Sequence, residues 1–432
     1  MAAPLPTLKS PPAASLDVIS KEHYFQQDDD ELTELKSNWV PTTLRTVPAF
    51  YPLEKSSRLV TDPPHAICSR LSECFRKLSI QAIYNNDTAS LYTAENVEMH
   101  LSLWKTNTQC MPPAVVVELQ RRKGDPIAFH RYSRSILDAA VGDELDATTM
   151  DDLIYSKKVQ RLLAMELKNR ELQEHENAVI AIEIAHGLLM KDRMDARRLG
   201  LESLCLLTDP RKTGYITAVL CSHVVLLGTT SGVHVPGAEQ NEDVVMDESP
   251  FQEIREAVIG LVQFSRLREE DEEEAALDAD SEHMMVLHNL ALAVLANALD
   301  VIEHPERYDD SMDNEPEDTK PRGRLRTTSS NDVANEFLQQ SSDFANKEML
   351  STLISELGKA EHKPHDATLS AKCLGSLLRA SDDAKRRAKE LGAKTVVSTA
   401  LDVGVRTHLK LETECKKVVI ALEQPPRDED QA

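Results

Sequence analysis

The apolar positions between residues 366 and 421 recur every three or four residues, which is the spacing of one face of a helix. The first run predicts a helix and comprises Leu369, Cys373, Leu374, Leu377 and Leu378. Asp382 and Asp383 predict the start of a second helix, because acidic side chains suit the positive end of the helix dipole. Gly392 and Ala393 predict that this second helix ends before a further apolar run.

Two more helices are predicted after that break. Val396–Leu401 forms a third apolar run, closed by Gly404, and Leu409–Leu422 forms a fourth. This order of helix, short turn, helix, glycine and helix resembles an armadillo-type repeat. The residues that carry the resemblance are the Ala371, Leu374 and Leu377 face, the Gly392–Ala393 break and the helix with Val396, Val397 and Leu401.

A second stretch, residues 195–233, repeats the pattern. Two apolar runs, Leu199–Leu207 and Ile216–Leu227, flank a turn at Asp209–Pro210 and precede a closing Gly232–Val233. Leu204, Leu207 and Gly232 align with Leu374, Leu377 and Gly404, with a slip of about two residues at the turn. One armadillo-type unit cannot bury its apolar stripe alone, so the resemblance implies a stacked helical domain over residues 150–424. A generic helical bundle without a repeat is the alternative.

Residues 64–141 predict a small α+β domain instead. An amphipathic helix runs from His65 to Leu78, and Phe129–Ala140 forms another after a turn at Gly124–Pro126. Between them, apolar and polar residues alternate with the period of two that is typical of strands. The four predicted strands form a meander and cover Leu78–Tyr84, Ala89–Thr93, Val97–Leu103 and Val115–Leu119, with a turn at Asn85–Asp87.

The order of helix, four strands and helix resembles the kinase-associated C-terminal module. The residues behind the resemblance are the first helix, Val115–Arg122, Gly124–Asp125 and Phe129–Leu137. The resemblance implies an α+β fold that binds anionic phospholipid heads or kinase domains. The predicted fold class of the chain is therefore mainly α, an armadillo-like solenoid preceded by this small domain.

Polar and acidic stretches divide the rest of the chain. Residues 1–62 are rich in Pro, Ser and acid and predict a disordered segment. Trp39 and Phe50–Tyr51 interrupt it, and these aromatics dock either on the chain itself or on a partner. Further helices are predicted at Tyr155–Leu172, Glu176–Met190, Phe251–Leu267, His283–Ile302 and Asp332–Leu357. Disordered acidic insertions are predicted at 234–250, 268–282 and 304–332, with an acidic tail at 425–432.

The composition favours some classes of partner and some cellular compartments over others. The net charge of −23 argues against nucleic acid, because phosphate would be repelled. The 7 cysteines lie mostly on apolar helical faces, no signal peptide is recognisable and no uninterrupted apolar run reaches about 18 residues. We therefore expect a cytoplasmic or nuclear protein whose partners are other proteins.

Motifs that carry chemistry are missing from the sequence. It contains no Cys-x-x-Cys, no His-Glu-x-x-His, no glycine-rich phosphate loop and no Gly-x-Ser-x-Gly. Cys221 and His223 lie in an apolar helix and are expected in the core. The helical histidines His175, His186, His283 and His288 have no ligand partner at a recognisable spacing. The sequence thus predicts no catalytic residue, no metal site and no cofactor.

Two features remain as candidate contact sites. A basic cluster comprises Arg121, Arg122, Lys123, Arg131 and Arg134, and it suits phospholipid heads or an acidic partner. The simpler interpretation is that it balances the chain's own acidic residues, such as the run at 269–274. Arg-x-Arg-x-x-Ser/Thr occurs twice, ending at Thr327 and Ser329, and resembles substrates of basophilic kinases; chance matches to such short motifs are common.

The function predicted from these patterns is a non-enzymatic interaction scaffold that uses an armadillo-like groove. The alternative is an adaptor recruited to membranes, in which the 64–141 domain binds anionic phospholipid. An enzyme of unrecognised type is a third possibility that the motifs do not exclude.

Overall fold

The computed structural model describes residues 39–48, 50–106, 114–143, 171–231, 233–234, 248–269, 279–303, 326–327, 329–345 and 349–424. Within these ranges the chain is mainly helical, with a small sheet near its start. The predicted helix at Tyr155–Leu172 lies outside the described residues except for its last two positions. The acidic tail at 425–432 lies outside them as well.

The α+β module, residues 39–143, contains the predicted meander. Helix α1 spans Pro64–Leu78 and α2 spans Pro126–Val141. Between them, each strand pairs antiparallel with the next: β3 (Gln81–Asn85), β4 (Thr88–Tyr92), β5 (Glu98–Lys105) and β6 (Val115–Lys123). The turns follow the sequence: Gly124 takes a positive φ, and Asp125 accepts a hydrogen bond from the Ala128 N–H at the start of α2.

Alternate residues of the strands build the core of this module. Leu91, Leu101 and Val117 belong to the buried cluster that packs with α1 and α2. On the opposite face of the sheet lie Trp104 and Glu118, which are also buried. The prediction of helix, four strands and helix is therefore confirmed for residues 64–141.

The stretch before α1 contradicts the prediction of a disordered segment as far as residues 39–62 are described. Strand β1 (Arg45–Thr46) pairs parallel with the end of β5, and β2 (Ser57–Val60) pairs antiparallel with β6 at the edge of the sheet. Trp39 is 3% exposed and stacks on Tyr84, while Tyr51 packs against Trp104. Trp39 and Tyr51 therefore dock on the chain itself. Their contacts supply apolar packing for a segment whose polar composition had predicted disorder.

The helical module, residues 171–424, forms a second core. Its helices are α3 (Glu171–Leu189), α4 (Met194–Leu207), α5 (Pro210–Thr213), α6 (Tyr215–Leu227), α7 (Ser249–Glu269), α8 (Ala279–Glu303), α9 (Ser330–Ala345), α10 (Met349–Gly358), α11 (Pro364–Ala380), α12 (Asp382–Glu390), α13 (Ala393–Thr407) and α14 (Leu409–Glu423). The predicted apolar faces are buried: Leu204, Leu374 and Leu377 are all 0% exposed. The breaks at Asp382 and Gly392 also fall where predicted.

Neighbouring helices pair and the pairs are in contact with one another. Helix α7 packs on α8, α10 on α11, and α13 on α14. Successive pairs touch through both helices: α10 contacts α7 and α13, and α11 contacts α8 and α14. The result is two layers of helices that share one continuous apolar cluster.

Gly404 does not end a helix, in contrast to the prediction. Helix α13 continues to Thr407, and Gly404 lies inside it. A Cβ atom at this position would lie 2.5 Å from the backbone nitrogen of Glu412. The glycine is therefore needed for the close approach of α13 and α14. Its proposed counterpart, Gly232, lies outside the described residues, and α6 ends instead at Gly228 with a φ of +71°.

The predicted insertions are shorter than expected where the structure describes them. Strand β7 (Val233–His234) pairs antiparallel with β8 (Arg326–Thr327), so the edges of two insertions meet. Helices α7, α8 and α9 each begin inside a stretch predicted as an insertion.

One described segment, His283–Glu303 of α8, is apolar and long enough to cross a bilayer, with a mean hydropathy of 1.8. It contacts α4, α6, α7 and α11, and Leu287, Ala291 and Leu295 on it are at most 1% exposed. Its composition thus matches that of a buried core helix.

Candidate functional site

The contact surface between the two modules, here called the seam, is built around the N-terminus of α14. The Ser79 hydroxyl, at the end of α1, accepts a hydrogen bond from the Lys410 N–H at 3.0 Å. The His408 side chain accepts one from the Leu411 N–H at 3.3 Å. Two N–H groups that the first turn of a helix leaves without partners are therefore satisfied, one of them by a side chain of the other module.

Further polar contacts extend the seam. Gln81 Nε2 donates to the His362 carbonyl at 2.9 Å. Arg76 Nη1 lies 3.3 Å from Glu412 Oε2, and both side chains are largely shielded from solvent. Helix α1 also packs against α13 and α14. The seam thus fixes the α+β module on the last helices of the chain.

Two histidines complete the seam, and their partners fix their tautomers. His408 Nδ1 accepts from the Leu411 N–H, so its Nε2 carries the proton and donates to His365 Nδ1 at 3.2 Å. His365 Nε2 must then donate to the Tyr92 carbonyl, at 3.1 Å, because a carbonyl only accepts. The hydrogen-bond relay Leu411–His408–His365–Tyr92 requires both rings to be neutral.

The pKa values of both rings are consistent with that requirement. Burial, the His365 ring and Lys410 lower the pKa of His408 to about 3. Burial also lowers the pKa of His365, against the raising effects of the Tyr92 carbonyl and Asp366. Protonation of either ring would set two N–H groups against each other, so the seam is built for neutral histidines.

A second polar cluster, here called the triad, lies next to the seam inside the helical module. It comprises His288 on α8, Glu356 on α10 and Asp366 on α11, whose ligand atoms all lie within 4.8 Å of one another. His288 and Glu356 are 2% and 1% exposed, and Asp366 is half-buried in the first turn of α11. Burial of two carboxylates and an imidazole is costly unless charges are compensated.

The neighbours of the triad fix its orientation. His288 Nδ1 contacts the Leu261 carbonyl at 2.8 Å, and its Nε2 faces Glu356 Oε2 at 3.7 Å. Lys359 Nζ donates to Glu356 Oε1 at 2.9 Å, and Asn289 Nδ2 donates to Asp366 Oδ1 at 2.7 Å. Burial acts to lower the pKa of His288, but Glu356, Asp366 and the Leu261 carbonyl outweigh it, so the pKa is raised.

The sequence shows no spacing that pairs His288 with another ligand, whereas the structure places it beside Glu356 and Asp366. No local spacing connects the three residues, because they come from three helices and α8 is far from α10 and α11 in the chain. The signals that were available were weak: a histidine within an apolar run on α8, and a glutamate among apolar residues on α10. Only the packing of α8, α10 and α11 brings the two polar positions together.

The predicted basic cluster is divided between contacts rather than gathered on one free patch. Arg131 makes a two-point contact with Glu95, Arg134 lies 3.8 Å from Asp138, and Arg121 donates to the Gly124 carbonyl. Arg122 and Lys123 are exposed at the end of β6. Nearby acids of the same module therefore balance part of the cluster. Residues 270–274 of the acidic run lie outside the described residues.

The two predicted phosphorylation positions lie next to regular structure. The backbone of Thr327 belongs to β8, opposite Val233, and Ser329 is exposed immediately before α9. The Ser329 carbonyl accepts the Val333 N–H, as an N-terminal helix residue does. The prediction of a disordered insertion over 304–332 is therefore wrong at residues 326–327 and 330–332.

Among the described residues, the cysteines have the environment of core side chains. Burial raises the pKa of Cys68, Cys74, Cys205, Cys373 and Cys415 to about 12, and raises that of Cys221 further. His223 is 0% exposed and burial lowers its pKa to about 4. The prediction that Cys221 and His223 lie in the core is confirmed, and none of these thiols is activated as a nucleophile.

Comparison of the chain with protein-family models, with curated proteins and with solved structures finds no match.

Proposed function

We propose that the protein is a non-enzymatic scaffold that binds other proteins along the α8–α11 side of its helical module. The observation that carries the proposal is a strip of half-buried polar side chains on this side, here called the polar strip. It comprises Asn289, Asn297, Asp300, Glu303, Lys372 and Arg379. Helix α11 has no exposed residue along its length, whereas the outer faces of α13 and α14 carry exposed residues.

Contacts between the two helices hold the polar strip in place. Lys372 Nζ lies 3.3 Å from Asp300 Oδ2, and Arg379 Nη2 donates to Glu303 Oε2 at 2.8 Å. Burial acts to lower the pKa of Arg379, but Glu303, Glu414 and Asp300 outweigh it and raise the pKa, so the guanidinium stays charged. A surface whose side chains are already ordered loses little entropy when a partner binds.

The arrangement of helices supports a repeat architecture for this scaffold. The pairs α7–α8, α10–α11 and α13–α14 follow one another, and members of successive pairs touch. The stretches α4–α5–α6 and α11–α12–α13 also share the order of helix, short helix and helix. Such stacking is what an armadillo-like solenoid requires, and solenoids use extended recessed surfaces to bind proteins.

The test is a charge swap on the polar strip. Asp300→Lys combined with Lys372→Asp keeps the ion pair but reverses the charges that a partner would meet. The tagged chain and the variant are purified from cells with crosslinking, and the partners and crosslink positions are identified by mass spectrometry. We expect crosslinks to α8 and α11 in the wild type and loss of those partners from the variant.

A second swap provides the control. Arg198 and Glu202 form an ion pair on α4, with side chains at least 40% exposed, and Arg198→Glu with Glu202→Arg reverses it in the same way. Partners of the polar strip should be retained by this control. If both swaps leave the same partners bound, or if crosslinks avoid α8 and α11, the polar strip is not the binding surface.

A membrane-recruited adaptor is the second candidate, supported by the exposure of Arg122 and Lys123 at the end of β6. Sedimentation with vesicles containing anionic phospholipid, at low and high salt, tests it. Salt-sensitive binding that Arg121→Glu with Arg122→Glu abolishes would favour this adaptor. Equal sedimentation of wild type and variant would leave the scaffold as the better account.

A further inference from the structure

Ligand atoms from three helices converge in the triad, where His288, Glu356 and Asp366 face one another within 4.8 Å. Each belongs to a residue type that binds metal ions, and two of the three side chains are almost completely buried. We propose that the triad binds a divalent transition-metal ion, with Zn²⁺ as the best-fitting example, and that the ion fastens α8, α10 and α11 together.

The orientation of His288 is the first argument. A carbonyl oxygen only accepts, so His288 Nδ1 donates its proton to the Leu261 carbonyl at 2.8 Å. The neutral ring then directs the lone pair of Nε2 at Glu356 Oε2, 3.7 Å away, and Nε2 has no hydrogen-bond partner among the described residues. Two electron-rich atoms facing each other in a buried space need a positive charge between them, either a proton or a metal ion.

The surroundings of the ligands are the second argument. Histidines that bind metals usually donate their other ring N–H to a carbonyl or carboxylate, as His288 does to Leu261. Each carboxylate of the triad also has a donor that orients it: Lys359 for Glu356 and Asn289 for Asp366. The triad contributes two carboxylates and Lys359 one ammonium group, and a bound cation would place a further positive charge between the carboxylates.

The ligand set and its dimensions select the class of ion. One nitrogen and two carboxylate groups suit Zn²⁺, Mn²⁺ or Fe²⁺ better than Ca²⁺ or Mg²⁺, which prefer oxygen ligands alone. Ligand atoms around a tetrahedral Zn²⁺ lie about 3.3–3.6 Å apart, given metal–ligand distances of about 2.0–2.2 Å. Since the ligand atoms of the triad lie within 4.8 Å of one another, a closing movement of about 1 Å by the side chains would reach that spacing.

The experiment uses the full chain after treatment with EDTA and dialysis. ZnCl₂ is titrated by calorimetry, bound zinc is measured by mass spectrometry, and the thermal midpoint is recorded with and without Zn²⁺. The key variant is Asp366→Asn, which keeps the shape of a half-buried side chain. Glu361→Gln is the control, because Glu361 is an exposed acid in the turn between α10 and α11.

We expect one Zn²⁺ site in the wild type and in Glu361→Gln that Asp366→Asn weakens by about 100-fold or more. Zn²⁺ should raise the thermal midpoint of the first two proteins only. Co²⁺ in place of Zn²⁺ should give visible absorption without the thiolate charge-transfer band that cysteine ligands produce. Equal zinc content and equal thermal shifts in wild type and Asp366→Asn would overturn the proposal. A protonated His288 Nε2 in metal-free protein that Zn²⁺ does not displace would do the same.

Discussion

At the scale of single residues, the distance to a neighbouring backbone decides whether a helix position must be glycine. Gly404 and Gly260 both lie inside helices, where glycine is usually unfavourable. A Cβ at Gly404 would meet the backbone of α14, whereas a Cβ at Gly260 would meet nothing within 4 Å. The same residue type therefore has a packing role at one position and none at the other.

This difference predicts opposite effects of alanine. Gly404→Ala should lower the free energy of unfolding by about 1–3 kcal/mol, because the backbone of Glu412, 2.5 Å from the new Cβ, cannot move as a side chain does. Gly260→Ala should raise it by about 0.5–1 kcal/mol through helix propensity. Urea denaturation measures both. Stabilisation by both substitutions would show that α13 and α14 can separate at little cost.

At the scale of elements, the stretch before α1 depends on one buried carboxylate. Glu118 on β6 is 0% exposed and accepts hydrogen bonds from the Glu54 N–H at 2.9 Å, Trp104 Nε1 at 3.0 Å and Tyr51 OH at 3.5 Å. These bonds connect the segment around Tyr51 to the outer face of the sheet. They explain why a polar segment with few apolar residues is nevertheless ordered.

Glu118→Gln should therefore release this segment. The amide keeps one acceptor oxygen but directs an N–H₂ group at a donor, which should cost about 1–3 kcal/mol. Limited proteolysis between residues 50 and 58 and urea denaturation are the measurements. Glu95→Gln is the control, since it alters an exposed pair with Arg131 and should cost at most about 1 kcal/mol. Equal protease resistance of the two variants would contradict the role of Glu118.

The elements that the sequence predicted best are those with an uninterrupted apolar period. The four strands of the meander and the helices α11, α13 and α14 each show several repeats of one face, whereas α12 was predicted from the two aspartates at its start. Strand β2 was missed because only Val60 of its four residues is buried and its pairing partner β6 is distant in the chain. The role of Gly404 was predicted wrongly because it depends on the backbone of α14, which lies close to this glycine and is not part of its local sequence. The triad was missed for the same reason, since it exists only where three helices pack.

At the scale of the whole molecule, the two modules are joined through groups that must be neutral. The His408–His365 relay connects the start of α14 to the Tyr92 carbonyl of β4. The groups that influence these rings are Asp366, which raises the pKa of His365, and Lys410, which lowers the pKa of both rings. Acid should therefore weaken the attachment of the α+β module.

The direction of the effect follows from proton binding. A histidine in the unfolded chain has a pKa near 6.5, whereas folding lowers the pKa of His408 to about 3 and also lowers that of His365. Between these values the unfolded chain binds protons that the folded chain does not. The stability contributed by the neutral rings is complete above pH 6.5. The contribution of His408 is lost at about 1.4 kcal/mol per pH unit as the pH falls from 6.5 towards 3, and His365 contributes a loss in the same direction.

His408→Asn isolates this contribution from other titrating groups, including His223, whose pKa is also lowered, and His288, whose pKa is raised. Asparagine is a good N-cap, so it can still accept the Leu411 N–H at the start of α14, but it does not titrate. Between pH 6.5 and pH 4.5, the unfolding free energy of this variant should fall less steeply than that of the wild type, by about 1.4 kcal/mol per pH unit.

His362→Asn, which alters an exposed ring at the same seam, should keep the wild-type slope. The protection of the Lys410 and Leu411 amides, measured as exchange relative to the intrinsic rate at each pH, should also fall on acidification in the wild type, since their N–H groups bond to Ser79 and His408. Identical slopes in all three proteins would show that the relay does not couple the modules to pH.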